Sequence, residues 1–280
     1  MPDCSPQSGI FKRERELLFD YYPEIKALIL DMDGVLWRDT EPLGDLPRVF
    51  EKIRSDGYRF ILATNNATRT VEEYHEKLAR FGVDLIDGEV ITTARALGIY
   101  ISQHYPPGVM AYVIGQPSLK KTLESFDVKV VDESVAEPDV VVASLDYSLT
   151  YKKLKHASLL IQSGLDFIGT NPDVTLPTPE GFIPGSGTVI CALEIATGKK
   201  ARMIGKPEPL LYEMALSYLA ASPDETLAIG DRLETDILGA QNAGIHTALV
   251  LTGAATQKQA EEWRPRPEII ASSLMELILQ

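Results

Sequence analysis

The feature that most constrains the fold is a pattern that occurs three times: a helical segment, a glycine, and then an apolar strand. The glycines of the three copies are Gly57, Gly164 and Gly244. A glycine after a helix adopts the left-handed conformation without a steric cost, so the chain can turn back toward a sheet. Strands that alternate with helices form parallel sheets covered on both faces. The sequence therefore predicts an α/β protein.

The middle of the chain has strands and helices of its own, enough for a separate core. Apolar strands are predicted at 109–115 and 139–143, each followed by a helical segment. The stretch 172–187 is rich in proline and glycine, and we expect it to be a loop that returns to the first domain. The predicted organisation is a core formed by residues 1–87 and 185–280, with an inserted α/β domain at 88–184.

Composition excludes several classes of protein. The 280 residues carry a net charge of −13, which argues against nucleic-acid binding because phosphate backbones are bound by clustered lysine and arginine. No apolar stretch approaches the roughly 18 residues of a membrane span. Two cysteines do not make a disulfide framework, and the first residues lack a secretory pattern. We expect a cytoplasmic protein that does not bind membranes.

Chemistry is first indicated by Asp31-Met32-Asp33-Gly34, directly after the apolar run 27–30. A buried strand that ends in two carboxylates delivers acid to the crevice where open α/β sheets bind ligands. Gly34 permits the chain to turn at once. On the functional interpretation Asp31 attacks phosphorus, while Asp33 protonates the leaving oxygen and later deprotonates water. A solvated turn is an equally good interpretation of this segment alone.

Two further polar segments follow predicted strands. Thr64, Asn65 and Asn66 offer hydroxyl, amide and backbone donors for phosphoryl oxygens, although capping of the next helix explains them equally well. Lys206, locked by Pro207, would neutralise both a nucleophile and a phosphate. Taken alone, this lysine is more simply a solvated surface residue.

The fourth segment is Gly230–Asp236, after the apolar strand 226–229. On the functional interpretation Asp231 binds Mg²⁺ directly and Asp236 supports it. Mg²⁺ prefers oxygen ligands and keeps several waters, so few carboxylates suffice. Carboxylates near a helix start are also favoured electrostatically without any metal.

In their order, these four segments resemble the motifs of the haloacid dehalogenase superfamily of phosphohydrolases, over nearly the whole chain. The matching motifs are DxDG at Asp31–Gly34, hydrophobic-Thr-Asn at Ala63–Asn65, Lys206-Pro207, and GDxxxTD at Gly230–Asp236. The chain also resembles the class IIA branch, which includes phosphoglycolate, pyridoxal-phosphate and 4-nitrophenyl-phosphate phosphatases. This resemblance lies in Thr170-Asn171-Pro172-Asp173 and Pro184-Gly185-Ser186-Gly187.

The resemblance implies a Rossmann-like parallel core with an inserted α/β cap domain that sets specificity. It implies two-step phosphoryl transfer, with Asp31 as nucleophile and Asp33 as general acid and base. Mg²⁺ would be held by the Asp31 carboxylate, the Asp33 backbone carbonyl and Asp231, with Asp236 in support. Phosphate would be bound by Thr64, Asn65, Asn66 and Lys206. The branch also implies a homodimer or higher homo-oligomer.

We expect a modestly selective enzyme for small phosphorylated metabolites. Contacts with the leaving group are expected from Asp146, Tyr147, Asn171 or Asp173, although a structural role is the simpler interpretation of each. The alternatives are a phosphomutase, a dehalogenase and a non-catalytic metabolite-binding homologue. A dehalogenase has no use for the acid Asp33, and a binding module need not keep the nucleophile Asp31. Release of free phosphate distinguishes a phosphatase from a mutase.

Overall fold

The computed structural model of the protein describes residues 24–134, 137–178 and 180–279, so the first 23 residues of the predicted core lie outside the described residues. Within them the chain forms two parallel sheets with helices packed on their faces, which confirms the predicted α/β fold. The strands, in chain order, are β1 (Ala27–Leu30), β2 (Trp37–Arg38), β3 (Glu41–Pro42), β4 (Arg59–Thr64), β5 (Val90–Thr92), β6 (Met110–Ile114), β7 (Lys129–Val131), β8 (Val140–Ala143), β9 (Asp166–Gly169), β10 (Thr175–Thr178), β11 (Gly181–Pro184), β12 (Arg202–Met203), β13 (Thr226–Gly230), β14 (His246–Val250) and β15 (Ile269–Ala271).

The α-helices of the described residues are α1 (Leu46–Ser55), α2 (Val71–Arg80), α3 (Thr93–His104), α4 (Pro117–Glu124), α5 (Tyr151–Gln162), α6 (Ser186–Thr197), α7 (Leu210–Leu219), α8 (Leu238–Asn242), α9 (Gln257–Glu262) and α10 (Leu274–Leu279). A 3₁₀ turn at Pro223–Glu225 precedes β13, and a π-helical turn at Leu233–Ile237 leads into α8. In this part of the chain no helix combines the length and the apolar character that a membrane crossing requires.

The larger sheet has six parallel strands in the order β15-β14-β13-β1-β4-β5. From β1 the chain continues to β4 on one side, and it later returns to β13 on the other side. The crossovers therefore diverge at β1, and open α/β sheets bind ligands beyond the carboxyl ends of the strands at such a point. From this topology we expect a ligand site at the carboxyl ends of β1, β4 and β13.

Helices cover both faces of this sheet. Successive strand residues point to opposite faces, so Ile29 packs with α3 and α7 while Leu28 and Leu30 pack with α1, α2 and α10. All four residues of β1 are buried. Truncating one of these large side chains to alanine would cost about 2–5 kcal/mol. The strand that carries Asp31 is thereby fixed from both sides.

The smaller sheet has five parallel strands in the order β12-β9-β8-β6-β7. Helices α5 and α6 pack on one face, and α3 and α4 pack on the other. The predicted domain limits remain a prediction. Strand pairing favours an inserted domain that begins after residue 88 and ends after residue 184. Strand β5 pairs with the larger sheet at Leu62↔Val90, and β12 pairs with the smaller sheet at Arg202↔Ile168.

The three glycines that define the sequence pattern adopt the left-handed conformation, with φ of +81° at Gly57, +105° at Gly164 and +71° at Gly244. The prediction of a loop over 172–187 is wrong. There β10 and β11 form an antiparallel hairpin, and α6 begins at Ser186. Proline is tolerated in an isolated two-stranded ribbon because its outer edges donate no ladder hydrogen bonds. The proline content therefore concealed the strands.

Candidate active site

The ends of three neighbouring strands meet at one point of the larger sheet. The registers pair Leu30 with Ile229 on one side and with Leu62 on the other. The residues that follow these strands must therefore lie side by side. The backbone N–H of Asp31 donates to the Ile229 carbonyl at 2.8 Å, so the ladder extends to the first carboxylate. Asp231 lies at the corresponding end of β13.

Lys206 lies among these carboxylates although it comes from the other sheet. It follows β12, and the residue is 2% exposed. Its Nζ donates to Oδ1 of Asp31 and to Oδ1 of Asp236, both at 2.6 Å, and to the Ala63 carbonyl at 3.0 Å. A lysine ammonium has three protons, and all three are used. The burial excludes the alternative of a solvated surface lysine.

Burial and neighbouring charges shift the proton affinities of the site. Burial, together with the carboxylates of Asp236 and Asp231, raises the pKa of Asp31 well above its ordinary value, against the attraction of Lys206. Burial acts to lower the pKa of Lys206, but the Asp236 and Asp31 carboxylates raise it well above its ordinary value. Burial and Asp236 raise the pKa of Asp231 to about 7. One lysine does not balance three carboxylates, so the site favours a further cation.

The carboxylates fit a divalent cation. Carboxylate oxygens of Asp31, Asp231 and Asp236 lie within 4.8 Å of one another. Oδ2 of Asp231 accepts from the N–H of Ala254 at 2.6 Å, whereas its buried Oδ1 has no hydrogen-bond partner among the described residues. A buried carboxylate oxygen without a donor is costly unless a cation compensates it. Because Mg²⁺ takes oxygen ligands, the donor set fits this ion.

Asp236 differs from the other two carboxylates because protein donors occupy both of its oxygens. Oδ1 accepts from Lys206, and Oδ2 accepts from the N–H groups of Asp231 at 3.2 Å and Arg232 at 3.0 Å. A carboxylate with this many donors is a better support than a ligand. The geometry favours the supporting place expected for Asp236.

Two glycines make room for the Asp231 carboxylate. A Cβ at Gly34, where φ is +88°, would lie 2.5 Å from Oδ2 of Asp231. A Cβ at Gly253 would overlap the same carboxylate. The glycine of the Asp31–Gly34 turn therefore serves both the turn and the close approach of the two acidic loops.

Asp33 lies at the rim of the site and is exposed to solvent. Its Oδ1 accepts from the indole N–H of Trp37 at 2.7 Å. The backbone N–H of Gly34 donates to the Trp37 carbonyl at 2.8 Å, which closes the turn between the two residues. An exposed carboxyl that is held at one oxygen is suited to exchange a proton with a bound molecule or with water.

The segment 64–66 does not cap the following helix, because Thr70 is the N-cap of α2. The Thr64 hydroxyl accepts from the N–H of Asn66 at 3.1 Å, and Asn66 Oδ1 accepts from the N–H of Thr68 at 2.9 Å. The Asn65 amide donates to the Lys206 carbonyl at 2.9 Å. This amide therefore holds the lysine loop in place, a use that the sequence did not indicate.

Of the four expected contacts in the inserted domain, two lie next to the site. The Asn171 amide donates to the Asn65 carbonyl at 2.7 Å, and Asp173 Oδ2 accepts from the Asn65 amide at 3.2 Å. Asp146 instead accepts from Ser148 in its own turn and from Lys153 of α5, and Tyr147 is 63% exposed. The structure brings Asn171 and Asp173 to the core loop and leaves the other two within the smaller sheet's own loops.

Sequence reasoning missed two residues of the site. Trp37 lies four residues after Asp33, and its hydrogen bond to that acid was not predicted. Arg232 is half-buried; burial acts to lower its pKa, but the carboxylates of Asp173 and Asp231 raise it above its ordinary value. The available signal for Arg232 was its place inside the Gly230–Asp236 segment. Burial, with Arg232 and Asn65 acting against it, raises the pKa of Asp173.

Comparisons with known proteins agree with one another. A haloacid dehalogenase-like hydrolase model matches residues 28–129, and a HAD-hydrolase-like model matches residues 203–277. An acid sugar phosphatase of Staphylococcus aureus (strain MRSA252) is 34% identical over 258 residues, which cover 92% of this chain and 98% of the relative. The 4-nitrophenylphosphatase structure of Thermotoga maritima has a TM-score of 0.86 and 33% identity, and the match covers 95% of this chain and 99% of that one. A Mycobacterium tuberculosis glycerol phosphate phosphatase solved with magnesium has a TM-score of 0.84 and 31% identity, and the match covers 91% of this chain and 77% of that one.

Proposed function

Since the chain belongs to the haloacid dehalogenase-like hydrolases, we propose that it is a Mg²⁺-dependent phosphatase for small phosphomonoesters. Its relatives are named acid sugar phosphatase, glycerol phosphate phosphatase and 4-nitrophenylphosphatase, which supports this reaction. The observation that carries the proposal is Lys206, which pairs with Asp31 and Asp236 beside Oδ1 of Asp231, an oxygen that no described residue contacts as a donor. Such a site accommodates a cation and a phosphoryl group together.

The Asp31 carboxylate, the Asp33 backbone carbonyl and Asp231 would hold Mg²⁺, with Asp236 behind them. When bound, the ion would offset the negative charge that the carboxylates and the phosphoryl group bring together. The glycerol phosphate phosphatase of Mycobacterium tuberculosis was crystallised in complex with magnesium, which supports this choice of ion.

The protein's own groups would carry both chemical steps. In the first step a carboxylate oxygen of Asp31 forms a bond to phosphorus while the ester P–O bond breaks, and Asp33 gives its proton to the departing alcohol oxygen. In the second step Asp33, now a carboxylate, takes a proton from water. The water oxygen attacks phosphorus, the aspartyl-phosphate bond breaks, and phosphate and the free Asp31 carboxylate are restored. No described residue donates to Oδ2 of Asp31, which leaves that oxygen available for attack.

Phosphoryl oxygens would be held by the Thr64 hydroxyl and the backbone N–H of Asn65. Lys206 and the N–H of Asn66 would join them when phosphoryl oxygens replace two of their present acceptors, the Ala63 carbonyl and the Thr64 hydroxyl. The Asn65 side chain is given a different task, because its NH₂ group donates to the Lys206 carbonyl and to Asp173. Positioning and electrostatic stabilisation are the main sources of rate in phosphoryl transfer. We therefore assign the Asn65 amide to keeping Lys206 in place.

The proposed substrates are small phosphorylated metabolites, with sugar phosphates and glycerol phosphate first because the relatives' names include them. The hairpin β10–β11 and its neighbour Asp173 adjoin the site and would contact the leaving group. Modest selectivity, self-association and a cytoplasmic location remain predictions from the sequence.

The test is phosphate release from a panel of phosphomonoesters with Mg²⁺ present. We expect several sugar and polyol phosphates to be hydrolysed, and we expect a chelator to abolish release. The matched variant Asp31→Asn should keep the fold and lose at least about a thousandfold in rate, since the nucleophile is gone. Undiminished release in a chelator would exclude the metal role, and a largely active Asp31→Asn variant would exclude the nucleophile.

The same assay distinguishes the alternatives. A mutase would return the phosphoryl group to a sugar and release little free phosphate. A metabolite-binding homologue would release none while still binding phosphate esters. Chloride release from a haloacid, with no phosphate release, would indicate a dehalogenase.

A further inference from the structure

Asp33 and Trp37 form an unusual pair, because one is exposed and the other is fully buried. Trp37 is 0% exposed, and its indole N–H donates to Oδ1 of Asp33 at 2.7 Å. A buried indole N–H needs a hydrogen-bond partner. Here the partner is an acid at the rim of the site, so the hydrogen bond joins a surface carboxyl to the core.

Three groups fix the indole itself. Tyr74 stacks on it with ring centroids 6.2 Å apart and an interplanar angle of 18°, and Phe81 packs at 6.1 Å. The ammonium of Lys77 lies 3.9 Å from the centre of the indole ring, and donates to the Asp39 carbonyl at 2.9 Å. A cation over an indole face is attracted by the ring. The ring therefore has one position, and so does its N–H.

Backbone contacts fix the distance between the two residues. The Gly34 N–H donates to the Trp37 carbonyl at 2.8 Å, and the backbones of Asp33 and Trp37 form an isolated β-bridge. Strand β2 begins at Trp37 and pairs with β3, with Trp37 opposite Pro42. The turn that carries Asp33 is thus tied to the indole through both its main chain and its side chain.

We propose that Trp37 is a positioning residue, which holds Oδ1 of Asp33 so that Oδ2 transfers the proton to the leaving oxygen. This inference rests on the proposed function, in which Asp33 is the general acid. A freely rotating carboxyl at the surface would spend most of its time away from the leaving oxygen. Orientation of a catalytic group is itself a large source of rate.

The test is the dependence of kcat/KM on the leaving group. Alkyl leaving groups such as glycerol need the proton, whereas 4-nitrophenolate departs without it. Because kcat/KM covers only the steps through cleavage of the ester, later hydrolysis of the aspartyl-phosphate does not affect it. Loss of acid positioning should therefore slow glycerol phosphate more than 4-nitrophenyl phosphate.

We expect Trp37→Phe to lower kcat/KM for glycerol phosphate on the order of 10- to 100-fold, since general acid catalysis contributes about 10²–10⁴-fold. The value for 4-nitrophenyl phosphate should fall less than about threefold, because that leaving group needs no acid. Phe50→Leu is the matched control, because Phe50 is buried in the same apolar cluster as Trp37 but packs on Phe60. It should affect the two esters equally.

A second replacement keeps the test decisive if Trp37→Phe does not fold. A 3-benzothienylalanine at position 37 has the shape of tryptophan but carries sulfur in place of the N–H. It should reproduce the selective loss on glycerol phosphate. An equal loss on both esters, or no loss on either, in a folded variant would overturn the proposal. Failure of the proposed function is distinguishable, since the unmodified protein would then hydrolyse neither ester.

Discussion

At the residue scale the site depends on one ammonium group. Lys206 donates to Asp31 and Asp236, which come from β1 and from the turn after β13, and it comes itself from the other sheet. A buried lysine with two carboxylates is stable only when each proton has an acceptor, because an unpaired buried charge costs several kcal/mol. The ammonium group therefore links the two sheets and holds the Asp31 carboxylate in place.

The clearest prediction at this scale concerns Gly253, which no chemical role requires. Its φ is not in the left-handed region, so alanine is permitted by the backbone, but a Cβ would overlap the Asp231 carboxylate. We expect Gly253→Ala to displace that ligand and to raise the Mg²⁺ concentration for half-maximal activity at least about tenfold, as changes around metal ligands do. Magnesium titration of the phosphatase rate measures this. An unchanged midpoint would show that Asp231 does not hold the ion where we place it.

At the scale of secondary-structure elements, the sequence predicted what lies in contiguous segments. Asp31 and Asp231 each follow a strongly apolar strand, and Thr64 ends another. Parallel strands end at one edge, so the convergence of these residues could be foreseen. The hairpin β10–β11 could not, because its prolines are typical of loops. Nor could the pairing of β12 with β9, since two residues carry no periodicity.

Contacts that depend on side-chain orientation were equally hidden. The indole of Trp37 reaches Asp33, and the amide of Asn65 points to the Lys206 carbonyl, only because the surrounding helices and loops fix their rotamers. Sequence spacing identified the acids of the site. It did not identify the groups that orient them.

The link between the inserted domain and the core loop is testable at this scale. Asn171 is 3% exposed, and its amide donates to the Asn65 carbonyl at 2.7 Å. We expect Asn171→Ala to destabilise the protein by about 1–3 kcal/mol, because a buried carbonyl loses its donor. KM for phosphate esters should rise as the loop 64–66 loosens. Denaturant unfolding and steady-state kinetics measure the two effects.

The control is Thr188→Ala. It removes an exposed hydrogen bond to the Val174 carbonyl, near the hairpin β10–β11. Surface changes of this kind usually cost no more than about 0.5 kcal/mol, and KM should stay as it was. If the two variants were equally stable and equally active, the Asn171 link would have no importance for the site.

At the scale of the whole molecule, one apolar cluster runs through both sheets. Helix α3 packs on the larger sheet through Leu97 and contacts α4 of the inserted domain, and the same cluster includes Val113 and Val140 of the smaller sheet. Shared packing of this kind makes the two parts stable together. The acidic site between them is therefore held on a common core, and its charge should influence the stability of the whole protein.

That influence gives a prediction about pH. The pKa of Asp231 is about 7 in the folded protein against 3.8 ordinarily. Without metal, the folded state thus binds more protons than the unfolded state between these values, and the contribution of Asp231 to stability is lost as pH rises through about 7. Asp231→Asn removes this titration. In a chelator, the stability of Asp231→Asn relative to the unmodified protein should increase from pH 5 to pH 8.

Magnesium should reverse the trend, because it binds only the charged carboxylates. Thermal unfolding with and without Mg²⁺ at several pH values measures both effects. A stabilisation by Mg²⁺ that was as large at pH 5 as at pH 8 would contradict this linkage between metal and proton binding.

The central claim is that the Asp31 carboxylate becomes covalently bonded to phosphorus. The direct measurement is to quench an Asp33→Asn variant during turnover, reduce it with borohydride, and locate the modified residue by peptide mass spectrometry. Asp33→Asn should slow hydrolysis of the intermediate, and borohydride converts an aspartyl-phosphate to homoserine. We predict homoserine at position 31, and none in the Asp31→Asn/Asp33→Asn double variant. Modification at another aspartate, or none while phosphate is still released, would contradict the claim.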